Sequence, residues 1–440
     1  MSGNPQARVV TLAQLLLGCM VWVAVWRTAY WERRAHEGEA GGFRGGAGPS
    51  RPRHAGRTSH SLPAEDLKDP LAPAPAKYRR VFNQRAAYKS CRTGGGKGGG
   101  KTVLITGTGG FVGFHTALKL HGRGDRVVGL DNFNSYYDTA LKRDRQRLLE
   151  EAGVYTVEGD LNDGELLRQV LDLCEVTHVL HLAAQAGVRY ATKNPMAYVD
   201  SNLSGMVKLL EVLKATEPMP RLVFASSSSV YGLNQKVPFS EADKVDRPAS
   251  LYAATKKADE MMSHVYFNIY GLSVTALRFF TVYGPYGRPD MAYFFFTEKI
   301  LKGEEIQIFQ GPNGEELARD FTYIDDIVAG VVGSLDSAPP SGKGEAAYRI
   351  FNLGNTRPET VSNFVETLED ILGRKANKRF VTMPPTGDVI RTHANVTAAR
   401  QAFGYTPQTS LREGLAKFVA WYQDYYPAPY EESRRSTFKS

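Results

Sequence analysis

From residue 101 onward, short apolar runs alternate with longer segments in which apolar positions recur every three or four residues. The short runs have strand length and the longer segments have helical periodicity, a pattern typical of repeated βαβ units. The predicted strands cover residues 103–105, 126–130, 177–182, 221–225 and 272–278, and the clearest predicted helices cover residues 166–173 and 204–214. This order predicts an α/β fold with a doubly wound, Rossmann-type parallel sheet.

Beyond about Met291 the alternation weakens and the predicted elements become shorter. We therefore assign residues 101–290 to the sheet domain and residues 291–426 mainly to a smaller C-terminal lobe that closes over a ligand. Residues 427–440 form a C-terminal tail. No internal repeat is visible in the chain.

Residues 9–26 form an uncharged run, VVTLAQLLLGCMVWVAVW. As a helix this run would span about 27 Å, which matches the hydrocarbon core of a bilayer. It predicts a single retained transmembrane helix within residues 1–31, with a cleaved signal or targeting peptide and a buried soluble helix as the alternatives. Residues 32–100 are rich in Gly, Pro and Arg, which predicts a flexible stalk. The membrane orientation is not determined, because arginines flank the run on both sides.

The net charge of +8 is concentrated at the N-terminus, since residues 1–100 carry +10 and residues 101–440 carry −2. The main part of the chain therefore shows no basic surface for nucleic acid, and no nucleic-acid partner is predicted. The cysteines, Cys19, Cys91 and Cys174, are too few and too scattered for a zinc cluster or a disulfide framework. No metal site is predicted.

The segment KTVLITGTGGFVG, residues 101–113, joins a predicted buried strand to a predicted helix through a glycine-rich turn. Gly107, Gly110 and Gly113 allow a tight turn and a close approach to a pyrophosphate at the helix N-terminus. The next strand ends at Asp131, close to the expected position of a carboxylate that binds the ribose of NAD and would repel the 2′-phosphate of NADP. Glycine turns also occur without a ligand, but the order of strand, turn, helix, strand and acid favours a dinucleotide site.

Tyr252 and Lys256, in the segment SLYAATK, lie four residues apart and share one face of a predicted helix. An ammonium group near a phenol favours the phenolate, so Tyr252 could act as a general base. This spacing alone also occurs by chance. It is supported by SSSSVYG, residues 226–232, a hydroxyl-rich turn at the strand edge where a doubly wound fold binds ligands.

Six motifs together resemble the extended short-chain dehydrogenase/reductase family, and within it the plant-type UDP-glucuronate 4-epimerases. They are TGTGGFVG, HLAAQAGVRYA, SSSSVYG, YAATK, LRFFTVYGPYGRPDM and ARDFTYIDD. The resemblance covers about residues 101–426, and the apolar N-terminal run with its stalk is also similar to that family. It implies a Golgi membrane protein with a single membrane pass.

The resemblance implies a role for each motif residue. Ser227 would be the catalytic hydroxyl, Tyr252 the base, and Lys256 the activator of Tyr252 and a ribose ligand. Substrate would be bound by Arg319 at the diphosphate and by Thr281 and Arg288 at the hexuronate carboxylate. In addition to Tyr252 and Lys256, the NAD ligands would be Gly107, Gly110, Phe111, Val112, Asp131, Asn132, Asp160, Leu161, Leu182, Ala183 and Gln185.

The implied reaction is the reversible conversion of UDP-glucuronate to UDP-galacturonate, through a 4-keto intermediate and transient hydride transfer to bound NAD. The alternatives are a UDP-glucuronate decarboxylase, a UDP-hexose 4-epimerase and, least favoured, a noncatalytic NAD-binding scaffold. A homodimer is compatible with the sequence, which does not determine the oligomeric state.

One segment departs from the family pattern. Related sequences often have an Arg shortly before a Gly-Asp pair near the nucleotide, whereas this chain has Pro385 and Thr386 before Gly387 and Asp388. Either Arg391 replaces that contact or the contact is absent. Asp325 and Asp326 are interpreted as helix-capping or surface acids rather than catalytic ones.

Overall fold

The computed structural model describes Cys91 and residues 100–384 and 387–427. The predicted anchor within residues 1–31, nearly all of the predicted stalk and nearly all of the tail lie outside the described residues, and so do Pro385 and Thr386. Within the described part of the chain, no helix combines the length and apolar character needed to cross a bilayer.

The five strands predicted from the sequence are all present, and the other strands that the structure describes were not predicted. In chain order the described strands are β1 (Thr102–Thr106), β2 (Arg126–Asp131), β3 (Tyr155–Glu158), β4 (His178–His181), β5 (Arg221–Ser227), β6 (Val274–Phe279), β7 (Thr281–Tyr283), β8 (Glu305–Gln310), β9 (Ala318–Tyr323), β10 (Tyr348–Leu353), β11 (Pro358–Thr360) and β12 (Asn377–Thr382).

Seven of these strands form the main sheet in the order β10-β6-β5-β4-β1-β2-β3, and every neighbouring pair is parallel. The predicted Rossmann-type parallel sheet is therefore confirmed. The chain runs from β1 outward to β3 and then returns to place β4 on the other side of β1. A crevice at the carboxyl ends of β1 and β4 results, which is where doubly wound sheets bind their ligands.

Strand β1 shows why both faces of the sheet are covered. All five of its residues are buried. Val103 and Ile105 pack in one apolar core, whereas Leu104 packs in the core on the opposite face. Because successive side chains of a strand point to opposite faces, this alternation requires helices on both sides.

The described helices supply those two layers and the helical part of the C-terminal lobe. They are α1 (Phe111–Gly122), α2 (Ala140–Glu151), α3 (Gly164–Cys174), α4 (Pro195–Tyr198), α5 (Gly205–Lys214), α6 (Leu251–Tyr270), α7 (Ala292–Lys302), α8 (Ile324–Asp336), α9 (Val361–Leu372), α10 (Thr397–Phe403) and α11 (Leu411–Tyr425).

The C-terminal part of the chain, together with β7, forms two small sheets, β11-β9-β7 and β12-β8, and a third apolar core rich in aromatic side chains. It also supplies β10, which pairs with β6 at the edge of the main sheet. The two parts of the chain are therefore interleaved in sequence at this edge. The division into lobes at residue 290 stays a prediction.

Cys91 and Cys174 form a disulfide across 83 residues of sequence, with a Cα–Cα distance of 5.2 Å. The sequence pattern did not indicate this pair, because Cys91 lies in the segment assigned to the stalk and Cys174 at the end of α3. The physical reason is that burial of both side chains in the fold brings together residues whose spacing carries no signal.

Candidate active site

All of the site residues predicted from the sequence line one cavity of about 740 Å³. The cavity lies at the carboxyl ends of the parallel strands. Its walls come from the loops after β1, β2, β3, β4 and β5, from the start of α6, and from β7 and β9. The structure thus brings together residues spread from Gly107 to Arg319.

The glycine turn after β1 is shaped by close backbone approach. Gly107 has φ +81°, and a Cβ there would lie 2.7 Å from the amide nitrogen of Ala183 after β4. A Cβ on Gly113 would lie 2.1 Å from the carbonyl oxygen of Gly107. Helix α1 then begins at Phe111 with no side chain capping its first turn. Uncapped N–H groups at a helix N-terminus that faces a cavity form a site for an anion such as a pyrophosphate.

Asp131 ends β2 beside this turn. Its Oδ2 accepts the Gly109 N–H at 2.9 Å and its Oδ1 accepts the Phe133 N–H at 2.8 Å. Burial raises the pKa of Asp131, although these N–H donors and Lys142 oppose the shift. The ionised carboxylate would therefore gain from further donors, and its remaining lone pairs can accept ribose hydroxyls.

Helix α6 presents the predicted base to the cavity. Ser250 caps the helix, because its hydroxyl accepts the Ala253 N–H at 3.1 Å. Tyr252 therefore lies in the first turn and Lys256 one turn later, and both line the cavity with Ser227 from the end of β5. The Ser227 hydroxyl is oriented locally, since it accepts the Ser229 N–H at 3.1 Å.

Lys256 has a buried partner that the sequence analysis did not identify. Its Nζ donates to Asp259 Oδ2 at 3.1 Å, and both side chains are almost completely buried. Burial raises the pKa of Asp259 to about 6, although the charge of Lys256 opposes the shift. The pair fixes the Lys256 side chain in the cavity wall.

A second buried network supports the serine turn from behind. Arg278 forms a two-point ion pair with Glu260, with Nε and Nη2 each at 2.9 Å from a carboxylate oxygen. Glu260 also accepts the Ser226 hydroxyl at 2.7 Å, and Tyr231 accepts an Arg278 N–H at 3.1 Å. These contacts join β5, α6 and β6, so they fix the turn that carries Ser227 relative to the helix that carries Tyr252.

We expect Arg278→Leu to lower the free energy of unfolding by about 3 kcal/mol, because it removes the two-point partner of the buried Glu260 charge and leaves Lys257, 3.3 Å away, as its cation. Urea unfolding followed by circular dichroism measures the loss. The exposed Arg412→Leu is the control and should leave the unfolding midpoint unchanged. A midpoint shift for Arg278→Leu no larger than that of the control would show that the ion pair does not stabilise the fold.

Two arginines face the cavity from the C-terminal side. Arg319, on β9, donates through Nη1 to the carbonyl oxygens of Ala318 and Ile390 at 2.9 and 3.0 Å. Burial lowers the pKa of Arg319, and among the described residues no carboxylate forms an ion pair with it. A half-buried cation that lines a cavity favours an anionic ligand. Arg288 and Thr281 line the same cavity.

Comparison with known proteins identifies the family. A family model described as GDP-mannose 4,6 dehydratase matches residues 104–418. UDP-glucuronate 4-epimerase 1 of Arabidopsis thaliana is 61% identical over 336 residues, which are 75% of this chain and 78% of the relative. UDP-glucuronate 4-epimerase 5 of the same plant is 54% identical over 382 residues, 82% and 88% of the two chains. The chain belongs to the UDP-glucuronate 4-epimerase family.

A solved structure carries the same fold. It is a UDP-glucuronic acid 4-epimerase from Bacillus cereus in complex with UDP-glucuronic acid and NAD, 31% identical to this chain, with a TM-score of 0.67. The match covers 74% of this chain and 100% of that chain. The resemblance inferred from the sequence motifs is confirmed. The roles of the individual site residues stay predictions.

This member of the UDP-glucuronate 4-epimerase family has a cavity arginine that the sequence analysis missed. Arg189 donates through Nε to Asp388 Oδ2 at 2.8 Å, and its guanidinium lies 4.6 Å from the centre of the Phe309 ring. Arg391, the candidate to replace the Arg that relatives often have before the Gly-Asp pair, is exposed and is not among the residues that line the cavity. The signal for Arg189 was its place in the motif HLAAQAGVRYA.

Tyr136 and Asp290 also line the cavity and were missed. Asp290 follows Arg288 in the motif GRPDM, so its position in a family motif was the available signal. Tyr136 lies in the loop after β2, where no motif had been recognised.

Proposed function

We propose that this chain converts UDP-glucuronate to UDP-galacturonate reversibly by inversion at C4, with tightly bound NAD. One observation carries the proposal: a single cavity joins a dinucleotide turn, a Ser/Tyr/Lys set and two arginines placed for an anionic sugar nucleotide. The relatives named UDP-glucuronate 4-epimerase support the choice of substrate.

The chain's residues fit NAD. The backbone of Gly107, Gly110, Phe111 and Val112 would bind the pyrophosphate, since α1 begins there without a cap. Asp131 would accept the ribose hydroxyls. When bound, NAD supplies a reversible hydride acceptor for C4 of the sugar.

The side chains at the other end of the cavity handle protons and orientation. Tyr252 as phenolate would take the proton of the C4 hydroxyl, and Lys256 would favour that phenolate by its charge. Ser227 would hydrogen-bond the C4 oxygen. Inversion requires the sugar to turn over between the loss and the return of hydrogen at C4, while the UDP stays bound.

Arg319 would bind the diphosphate during that rotation, because it is a half-buried cation in the cavity wall with which no carboxylate of the described residues forms an ion pair. Arg288 and Thr281 would bind the sugar carboxylate. A planar guanidinium that binds a carboxylate at two points also fixes the position of that carboxylate, and so the direction of the C5–C6 bond, relative to the sugar ring. This matters because a 4-keto uronate loses carbon dioxide when that bond aligns with the carbonyl π-system.

The test is to incubate the full-length protein, purified in detergent, with UDP-glucuronate and to identify the products by NMR. The full chain is used because a protein beginning at residue 101 would lack Cys91 of the disulfide. We expect UDP-glucuronate to form UDP-galacturonate, and UDP-galacturonate to form UDP-glucuronate, until both reactions reach the same equilibrium mixture. UDP-pentose with carbon dioxide as the main product would instead identify a decarboxylase, and no turnover would reject the enzyme.

We also propose that the protein is held in the Golgi membrane by one N-terminal helix within residues 1–31. The uncharged run of residues 9–26 supports the anchor, and the disulfide between Cys91 and Cys174 is compatible with an oxidising compartment. A homodimer stays a prediction.

We expect a reporter fusion of the full chain to sediment with Golgi membranes and to resist extraction by salt. Deletion of residues 1–31 should release a soluble, active enzyme, because the apolar run is removed and Cys91 is kept. Recovery of the full-length fusion in the soluble fraction would contradict the anchor.

A further inference from the structure

Arg288 is held by a neighbouring acid in the cavity wall. Its Nε donates to Asp290 Oδ1 at 3.0 Å and its Nη2 donates to Asp290 Oδ2 at 2.6 Å. The hydroxyl of Tyr136 donates to Asp290 Oδ2 at 2.9 Å. Tyr136, Asp290 and Arg288 therefore form a hydrogen-bonded chain that ends at a guanidinium, and all three side chains line the cavity.

The hydrogen bonds to Asp290 leave one edge of the Arg288 guanidinium open. A guanidinium has two edges, each with a pair of N–H groups that match a carboxylate. Asp290 uses the edge formed by Nε and Nη2, and Nη1 has no acceptor among the residues that the structure describes. The edge formed by Nη1 and Nη2 is therefore available to a second carboxylate. Arg288 would then bind two carboxylates at once: Asp290, which holds it in place, and the carboxylate of the sugar.

Further contacts hold Arg288 and Tyr136 in place. The hydroxyl of Tyr293, a buried residue of α7, accepts the backbone N–H of Arg288 at 2.9 Å. The ring of Tyr136 packs against Tyr190 with a centroid distance of 4.8 Å. A Cβ on Gly187 would lie 2.5 Å from the Tyr136 hydroxyl, so this glycine leaves the room that Tyr136 needs. Elements from three parts of the chain thus restrict the position of Arg288.

The charges are consistent with this arrangement. Burial by itself would raise the pKa of Asp290, but the charge of Arg288 and the hydrogen bonds from Arg288 and Tyr136 hold it below its ordinary value. Asp290 is therefore ionised at neutral pH, and its contacts to Arg288 are charge-assisted. Such contacts are shorter and stronger than those between neutral groups.

We propose that Asp290 and Tyr136 are positioning residues for uronate recognition: they fix Arg288 so that its open edge holds the sugar carboxylate in one position relative to the sugar ring. The inference rests on the proposed function of Arg288. It extends that function by assigning the acid selectivity of the site, and its product fidelity, to residues that do not themselves touch the carboxylate.

The side reaction that this arrangement suppresses can be written in full. In the 4-keto uronate, the bond between C5 and C6 breaks and carbon dioxide leaves. The electron pair of that bond forms the C4–C5 enolate, and C5 then takes a proton from solvent. Return of the hydride first removed from C4 gives a UDP-pentose. Net, UDP-glucuronate and one proton yield UDP-pentose and carbon dioxide, with no external oxidant or reductant.

The test compares Asp290→Asn with the wild type as full-length proteins. Calorimetry measures the affinity for UDP-glucuronate and for UDP, which lacks the carboxylate, and NMR measures the products. We expect the affinity for UDP-glucuronate to fall about tenfold while that for UDP stays within about twofold, because one charged hydrogen-bonding partner of Arg288 is lost. We also expect a higher KM and a measurable fraction of UDP-pentose.

Tyr136→Phe removes only one hydroxyl and should move the same quantities in the same direction by a smaller factor, so it tests the inference if Asp290→Asn does not fold. Asp370→Asn is the matched control, since it removes the charge of an exposed Asp–Arg pair at Arg412 and should behave as wild type.

Four results would overturn the inference. Unchanged binding of UDP-glucuronate by Asp290→Asn would show that Asp290 does not position Arg288, and tighter binding would show that Asp290 competes with the substrate for Arg288. An equal loss of affinity for UDP and for UDP-glucuronate would show that Asp290 has a general structural role. Formation of the wild-type products by Asp290→Asn, with no UDP-pentose, would show that Asp290 does not control the carboxylate. Failure of the proposed function is distinguishable, because the wild-type protein would then form no UDP-galacturonate whatever the variants do.

Discussion

Tyr252→Phe is expected to retain NAD and to lose epimerase activity by about 10²–10⁴-fold. The phenylalanine ring can still pack where the tyrosine ring lies, 6.2 Å from that of Tyr198, but the group that accepts the C4 hydroxyl proton is gone. NMR of the product measures turnover. Release of the nucleotide by denaturation, followed by chromatography, measures the NAD content.

The matched control for this change is Tyr270→Phe, at the exposed C-terminal end of the same helix. It removes the same hydroxyl from α6 far from the cavity and should keep wild-type activity. Activity of Tyr252→Phe within tenfold of the wild type would reject Tyr252 as the base. Loss of NAD together with activity would show instead that the hydroxyl is needed to build the site.

Arg288→Ala should lower kcat/KM for UDP-glucuronate by a factor at least about 10-fold larger than the factor by which it lowers kcat/KM for a neutral UDP-hexose. A charge-assisted contact contributes about 1.5–3 kcal/mol, and only the acidic sugar makes it. The loss has a second cause, because the variant leaves Asp290 in the cavity wall without its cation, where it repels the sugar carboxylate. Turnover of both sugars and the pentose fraction for UDP-glucuronate are the measurements.

The double variant Arg288→Ala with Asp290→Asn separates these causes. Removal of the unpaired acid should recover part of the lost affinity for UDP-glucuronate, but it should not suppress formation of UDP-pentose, since the guanidinium that fixes the carboxylate is still missing. If Arg288→Ala impairs acidic and neutral sugars equally and forms no pentose, the carboxylate is bound elsewhere.

The strands and the glycine turn were predictable because their signals are local. The run before Gly107 is fully buried as β1, and Gly107 does adopt the positive φ that the turn requires. Ser250, immediately before the Tyr-x-x-x-Lys pair, caps α6. In each case the decisive residues lie within a few positions of one another. The strand β10 was missed, since it lies far along the chain from its partner β6 and its sequence carries no mark of that pairing.

The sequence by itself determined the fold class and the dinucleotide turn, and its spacing predicted the pair of Tyr252 and Lys256, because backbone propensity and side-chain spacing act over short stretches of chain. The role predicted for Ser227 came from the resemblance to the family. Only the tertiary structure decided which charges meet. Tyr136 reaches Asp290 across 154 residues, and Arg189 reaches Asp388 across 199. Such pairs depend on how whole elements pack, and any Asp or Arg on the chain offers the same charge. The support of Arg288, and with it the proposed control of the carboxylate, therefore becomes visible only when the loops after β2 and β7 lie side by side.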